Sequence, residues 1–241
     1  MYDLLRSKMK SYLFITFMIL STVAFGQRKH DYNSLNYRDF AAKPFFFGLS
    51  LGYNQTNFKV FRSGNFLVSD SIRGINSAYG KGFNVSVISN LKIGEFIDFR
   101  LLPTFTFTDR ILNFDVFNTN DVISRKGESV IIELPFQVRY KTQPYNDVRA
   151  FVLGGVKYTF DVSNKNRNRE ANDLLRIAPT DYAIEFGGGL QFFMPFFIFS
   201  PEIKFSHGLN NLLLYNNRVQ TSAVIDKLFS RTWTISFHFE G

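Results

Sequence analysis

A chain of 241 residues with no cysteine has no disulfide framework, no thiolate metal site and no cysteine for lipid attachment, and its length allows one domain or two. Thirty phenylalanines and eleven tyrosines raise the aromatic fraction to 17%, yet mean hydropathy is close to zero, so apolar and polar residues are interleaved rather than run together. A net charge of +8 suits a polyanion, but no nucleic-acid motif accompanies it, and the N-terminal pattern directs the chain away from nucleic acid.

At the start, Arg6, Lys8 and Lys10 precede an apolar run from Tyr12 to Leu20, followed by "STVAFGQ" with Ala24 and Gly26 at the small-residue positions before Gln27. Residues 1–26 therefore read as a secretory signal peptide, and Met9 offers a second start with the same features. The apolar run is too short to span a bilayer as a helix, and no later segment is longer. Without residues 1–26 the net charge falls to about +6 by simple counting. Residues 27–43, "QRKHDYNSLNYRDFAAK", form a polar leader, predicted to lie in the periplasm, and residues 44–241 form the folded domain.

Eight stretches of that domain alternate with period two, as half-buried strands do. In 44–54, Phe47, Leu49, Leu51 and Tyr53 oppose Gly48, Ser50, Gly52 and Asn54; in 80–91, Phe83, Val85 and Val87 oppose Gly82, Asn84 and Ser86. In 95–108, Ile97, Phe99, Leu101, Phe105 and Phe107 oppose Asp98, Arg100, Thr104 and Thr106. The stretch 129–141 sets Ile132, Leu134, Phe136, Val138 and Tyr140 against Glu133, Gln137 and Arg139, and 148–162 sets Val156, Tyr158 and Phe160 against Lys157, Thr159 and Asp161. Around Met194–Pro195, two more stretches place Tyr182, Ile184, Phe186, Leu190, Phe192, Phe197, Phe199, Ile203 and Phe205 opposite Glu185, Gln191, Ser200, Glu202, Lys204 and Ser206. The last, 231–240, opposes Trp233, Ile235, Phe237 and Phe239 to Thr232, Thr234, Ser236 and His238.

The connections alternate. "KIG", "TQPYND" and "MP" are short; the other four are long, each roughly twenty residues, the rhythm of periplasmic turns and external loops in an outer-membrane barrel. An eight-stranded barrel has an interior only just wide enough for its side chains, so this many phenylalanines cannot all lie inside. The expected fold is therefore all-β: an eight-stranded antiparallel transmembrane β-barrel in the outer membrane, with phenylalanine rows facing lipid and both termini in the periplasm. Asp98, Arg100, Glu133, Arg139, Lys157, Asp161, Glu185, Glu202 and Lys204 share the opposite parity and form a polar network in the lumen. Tyr53, Tyr158, Tyr182 and Trp233 are placed at the external membrane interface, with Tyr140 at the periplasmic one. Pro103, Pro135 and Pro201 lie within strands and are expected to mark bulges.

Signals for chemistry are weak. Of three histidines, His30 lies in the leader, and His207 and His238 belong at opposite ends of the barrel, which makes no metal site. Ser206 or Ser236 with a histidine gives a hydrolase arrangement on paper, and Glu185 with Glu202 an acid/base pair, but a salt-bridged lumen accounts for the same residues. "GGG" at 187–189 has no helix or Lys-Ser/Thr after it, so it marks close packing rather than a phosphate loop. The basic segment 164–176 is a solvated external loop that can meet lipopolysaccharide phosphates or a partner protein.

"KPFFFGLSLGYNQTNFKV" (43–60), "GFNVSVISNLKIGEFIDFRLLPTFTF" (82–107), "ELPFQVRYKT" (133–142), "RAFVLGGVKYTFDV" (149–162) and "SPEIKFSHGLNNLL" (200–213) together resemble the PorT-like outer-membrane barrels of the Bacteroidota type IX secretion system. The resemblance spans nearly the whole exported chain in order. It implies a non-enzymatic component of protein export, associated with gliding, that carries no cofactor and works with other secretion-machinery proteins in contact with outer-membrane lipid and lipopolysaccharide. The alternatives are a general surface or adhesion barrel and an envelope-modifying barrel hydrolase.

Overall fold

The computed structural model describes residues 36–37, 40, 43–63, 72–116, 122–163, 176–214 and 225–241. The signal peptide, the leader before Asn36, His30 and most of the basic segment 164–176 lie outside them.

Strand segments in chain order are β1 (Phe45–Arg62), β2 (Ile72–Ala78), β3 (Gly80–Lys92), β4 (Ile97–Leu101), β5 (Thr104–Val116), β6 (Val122–Lys141), β7 (Val148–Asp161), β8 (Arg176–Ile177), β9 (Thr180–Phe193), β10 (Ile198–Gly208), β11 (Leu213–Leu214) and β12 (Ile225–Glu240). β2 continues into β3 across Tyr79, and β4 into β5 across Leu102 and Pro103, so the main sheet consists of eight antiparallel staves. Each pairs with its sequence neighbours. β1 pairs with both β3 and β12, which closes the ring, while among the described strands β2 pairs with β5 alone. β8 and β11 form a separate two-stranded piece.

Alternation decides which residues face where. Along β12, Thr234, Ser236, His238 and Glu240 are buried, whereas Trp233, Ile235, Phe237 and Phe239 are exposed on the outer wall. The same split runs along β1, β3, β7 and β9. A water-soluble surface does not carry an apolar belt of this extent; hydrocarbon is the solvent that suits it. Not every phenylalanine faces out: Phe46, Phe58, Phe151 and Phe193 point inward.

The structure corrects the expected bulges. Leu101 pairs with Phe136 and Thr104 with Glu133, equal steps on both strands, so Pro103 inserts nothing. Pro135 pairs with Lys157 and Pro201 with Phe237 in unbroken register. A proline removes one donor, while its carbonyl stays in use: Val87 N–H donates to Pro103 at 3.0 Å, and Leu102 N–H to Pro135 at 3.3 Å. The true register shifts lie elsewhere, between Phe61 and Arg62 and between Ile72 and Gly74.

The long connections are also shorter than expected, because β1, β5, β6 and β12 continue well past the periodic stretches. The reason is a change of phase. From Phe47 to Tyr53 the apolar side chains of β1 face out, but Phe58 and Val60 face in. The apolar-polar rhythm breaks there while backbone pairing continues.

Candidate functional site

Among the described residues, polar side chains converge in the lumen, which is arranged in layers. At the end with the short turns, the leader enters it. Asn36, Tyr37 and Phe40 are helical, and Tyr37 and Phe40 pack with Phe46, Phe193 and Ile198 in a closed apolar cluster. The Tyr37 ring meets Phe193 edge-on at 5.0 Å, and Phe40 lies 6.3 Å from the same ring. The turn Tyr145–Val148 holds the leader in place. Asn146 and Asp147 adopt φ of 47° and 61°, the left-handed conformation of a two-residue hairpin turn that Asn and Asp tolerate. This aims the Asp147 carboxylate back at the leader, where Oδ1 accepts from Tyr37 N–H at 3.0 Å and Oδ2 from the Asn36 amide at 3.5 Å. Lys92 Nζ donates to the Phe40 carbonyl at 2.6 Å. Burial pushes the Tyr37 phenol above its ordinary pKa, and the Arg149 guanidinium 5.6 Å from its ring opposes that rise.

Above the leader lies a charged layer. Arg100 reaches across from β4 to Glu202 on β10 at 3.2 Å and to Glu240 on β12 at 2.8 Å. Arg139 on β6 approaches the same two carboxylates at 3.8 and 3.3 Å, and His238 Nε2 lies 3.1 Å from Glu202. Lys141 pairs with Asp98, and Glu185 accepts from Gln137 and lies 3.9 Å from Lys204. All of these groups are withdrawn from solvent. Pairing is what makes that tolerable, since an isolated buried charge costs several kcal/mol. Gly189 has a local task here: a Cβ on it would sit 2.7 Å from the Phe151 ring, which lies under the Arg139 guanidinium at 4.0 Å.

Next comes a small polar cavity of about 30 Å³, room for a water or two, lined in part by Glu133, Lys157, Asp161, Asp181, Ser206 and Ser230. Lys157 donates to Glu133 at 3.2 Å and to Ser206 Oγ at 3.3 Å, and Arg110 pairs with Asp161 at 3.2 Å. Over the cavity the chain builds an apolar lid. Ile177 of β8 and Leu212, just before β11, are buried against Phe58, Leu112, Ile225 and Leu228.

The sequence matches, over residues 25–214, the profile of a family described as the outer membrane protein beta-barrel domain. The chain belongs to that family. Its place is the outer membrane, which strands cross; no helix among the described residues is long and apolar enough to do so. No curated protein sequence matches the chain. Among solved structures, this barrel is similar to OprG of Pseudomonas aeruginosa (10% identity, 82% of this chain and 95% of that one, TM-score 0.45). It is similar also to Neisserial surface protein A (8%, 82% and 97%, TM-score 0.42) and to Ail, the attachment invasion locus protein of Yersinia pestis (13%, 83% and 100%, TM-score 0.37). These overlaps are loose, and the family assignment rests on the sequence match.

In this outer-membrane barrel Asp98, Arg100, Glu133, Arg139, Lys157, Glu185, Glu202 and Lys204 all point into the lumen, in the contacts given above. Tyr53, Tyr158, Tyr182 and Trp233 lie on the outer wall toward the long-loop end, and Tyr140 lies near the short turns. Of the histidines weighed for a hydrolase, His238 shares the inward face of β12 with Ser236 and places its Nε2 3.1 Å from Glu202. His207 faces outward while its neighbour Ser206 faces inward and contacts Lys157, which is held by Glu133. Glu185 and Glu202 each have their own cationic partners. Sequence reasoning did not single out Glu240, Lys141, Asp147 or Tyr37. The first two continue the inward parity of β12 and β6 and were there to be read; the other two depend on a turn meeting the leader, which no period encodes.

Proposed function

We propose that this barrel is a non-enzymatic, cofactor-free component of the type IX protein secretion machinery, anchored in the outer membrane and not itself the conduit. The observation that carries the second half is the lumen: the leader closes one end, a lid of the barrel's own apolar residues closes the other, and paired charges fill the space between. A folded or extended polypeptide has no path through it. The first half rests on the resemblance of the quoted segments to the PorT-like barrels. In this reading the short turns and both termini face the periplasm, and the tyrosines and Trp233 mark the two lipid interfaces. Other secretion proteins are met through the external loops or the leader, and association with gliding follows from the same machinery.

The test is the set of proteins released by cells lacking the gene. Loss of type IX cargo from the medium, restored by the intact gene, is the expected result. Normal release of that cargo sinks the role and leaves a general surface barrel.

A further inference from the structure

On the outer wall, just beyond the aromatic belt at the long-loop end, several cations face away from the lumen. Arg231 stands two residues past Trp233 on β12, and His207 two past Phe205 on β10; the register sets Arg231 opposite both His207 and Asn57. Lys59 on β1 pairs with Phe229, and Lys227 with Phe61. Aromatic contacts order this patch: His207 stacks on Phe229 at 6.2 Å, Phe229 meets Phe61 at 5.7 Å, and Lys59 Nζ lies 4.8 Å from the Phe61 ring centroid.

These cations differ from four that face the lumen. Arg100, Arg139, Lys141 and Lys157 are each matched by a carboxylate. Among the described residues, Lys59, Lys227 and Arg231 form no ion pair. Asp226 is exposed nearby, at the point where the β1–β12 register slips. On the far side of the barrel Asp109 and Glu128 pair across β5 and β6. Below the cations the wall is continuous aromatic surface: Trp233 and Phe205 have ring centroids 4.8 Å apart, with Phe186 5.4 Å from Phe205, and Ile235 and Phe237 follow toward the other end.

Unpaired cations above a hydrocarbon-facing wall match one kind of molecule, an anionic head on acyl chains. We propose that the β1–β12–β10 wall binds the phosphorylated headgroup of an outer-leaflet lipid, with Arg231, Lys59 and Lys227 on the phosphate and the acyl chains along Trp233, Phe205 and Phe237. Arg supplies a fork of donors suited to phosphate, and Lys adds point charge. The inference rests on the reading that the long-loop end faces outward.

Trp233 is the only tryptophan in the chain, so its emission reports on the site directly. The exported full-length barrel, folded in neutral detergent and checked for heat-modifiable mobility on a gel, is titrated with diphosphoryl lipid A, with its dephosphorylated form, and with inorganic phosphate. Diphosphoryl lipid A shifts the emission. Lys59→Gln, Lys227→Gln and Arg231→Gln together weaken that binding by about tenfold or more, while Lys43→Gln at the opposite end changes it by less than about twofold. If the triple variant does not fold, Arg231→Gln alone is expected to weaken binding on the order of fivefold. Equal binding of the dephosphorylated lipid, or wild-type affinity in the variant, overturns the site. Inorganic phosphate binding as tightly as lipid A overturns the lipid as its ligand. A barrel with normal heat-modifiable mobility that binds no lipid A loses this site but keeps its fold, and labelling of Lys227→Cys on whole cells reads separately which end faces out.

Discussion

The two ends of the lumen are closed by different physics. At the long-loop end the lid joins the barrel's own core: Leu212, Ile225 and Leu228 are almost wholly buried and cluster with Phe58 of β1, Leu112 of β5 and Ile177 of β8. At the short-turn end the closure is a separate segment, docked through two aromatic rings and a few hydrogen bonds to Asp147, Lys92 and Phe193. The first closure is inseparable from folding. The sheet closes through β1–β3 and β1–β12 pairing without the second, so the contrast predicts a lasting closure on one side and a removable stopper on the other.

The charged layer between them sets the scale for testing this. Arg100→Leu leaves Glu202 and Glu240 with only Arg139 and His238, and is expected to destabilise the barrel by about 3–5 kcal/mol, the penalty for breaking a buried ion-pair network from one side. Guanidinium unfolding in lipid vesicles measures it; a loss below about 1 kcal/mol shows that water already compensates these charges. Leu228→Ala is next. A cavity at a fully buried leucine costs about 2–5 kcal/mol, and because the lid is core, the loss appears in global unfolding. If instead the barrel unfolds normally and only the loop end becomes sensitive to protease, the lid is as separable as the leader and the contrast between the ends fails.

How much of this was legible in the sequence follows the same division. Residues such as Phe47, Leu49, Leu51 and Tyr53 announce the outer wall because one solvent acts along the whole stave, and strict alternation gives stave number, direction and the lumen position of Arg100, Arg139 and Glu202. The lid was hidden because the lumen itself changes character: once Phe58 and Leu112 turn inward, neither face is uniformly polar, and the pattern reads as loop. The leader was hidden because it looks polar by composition, while among its described residues Tyr37 and Phe40 do the packing. Proline misled for a simpler reason. A missing N–H breaks one ladder bond, but nothing requires an added residue to accommodate it, and Pro135 stays in register opposite Lys157.

Phe40→Ala then separates the ends. The ring is buried against Phe46 and Phe193, and truncation in such a setting costs about 3–5 kcal/mol of local docking, enough to free the leader. Hydrogen exchange at the Tyr37 amide should become many times faster in the variant than in the parent, with the barrel's unfolding midpoint unchanged. A matching drop in that midpoint means the leader is part of the barrel's stability rather than a stopper.

The smallest change aims at the latch itself. Asp147→Asn keeps a side chain that tolerates φ near 61° and retains one acceptor oxygen, so turn geometry survives and only the negative charge is lost. Tyr37 N–H then donates to a neutral oxygen, and the difference between a charged and a neutral acceptor is about 1 kcal/mol. The population of undocked leader should rise by roughly fivefold, seen as faster hydrogen exchange at the Tyr37 amide with no change at amides in β7 or β9. Exchange at Tyr37 equal to that of the parent shows that Phe40 and Lys92 hold the leader without the turn, which moves the latch from Asp147 to the lumen wall.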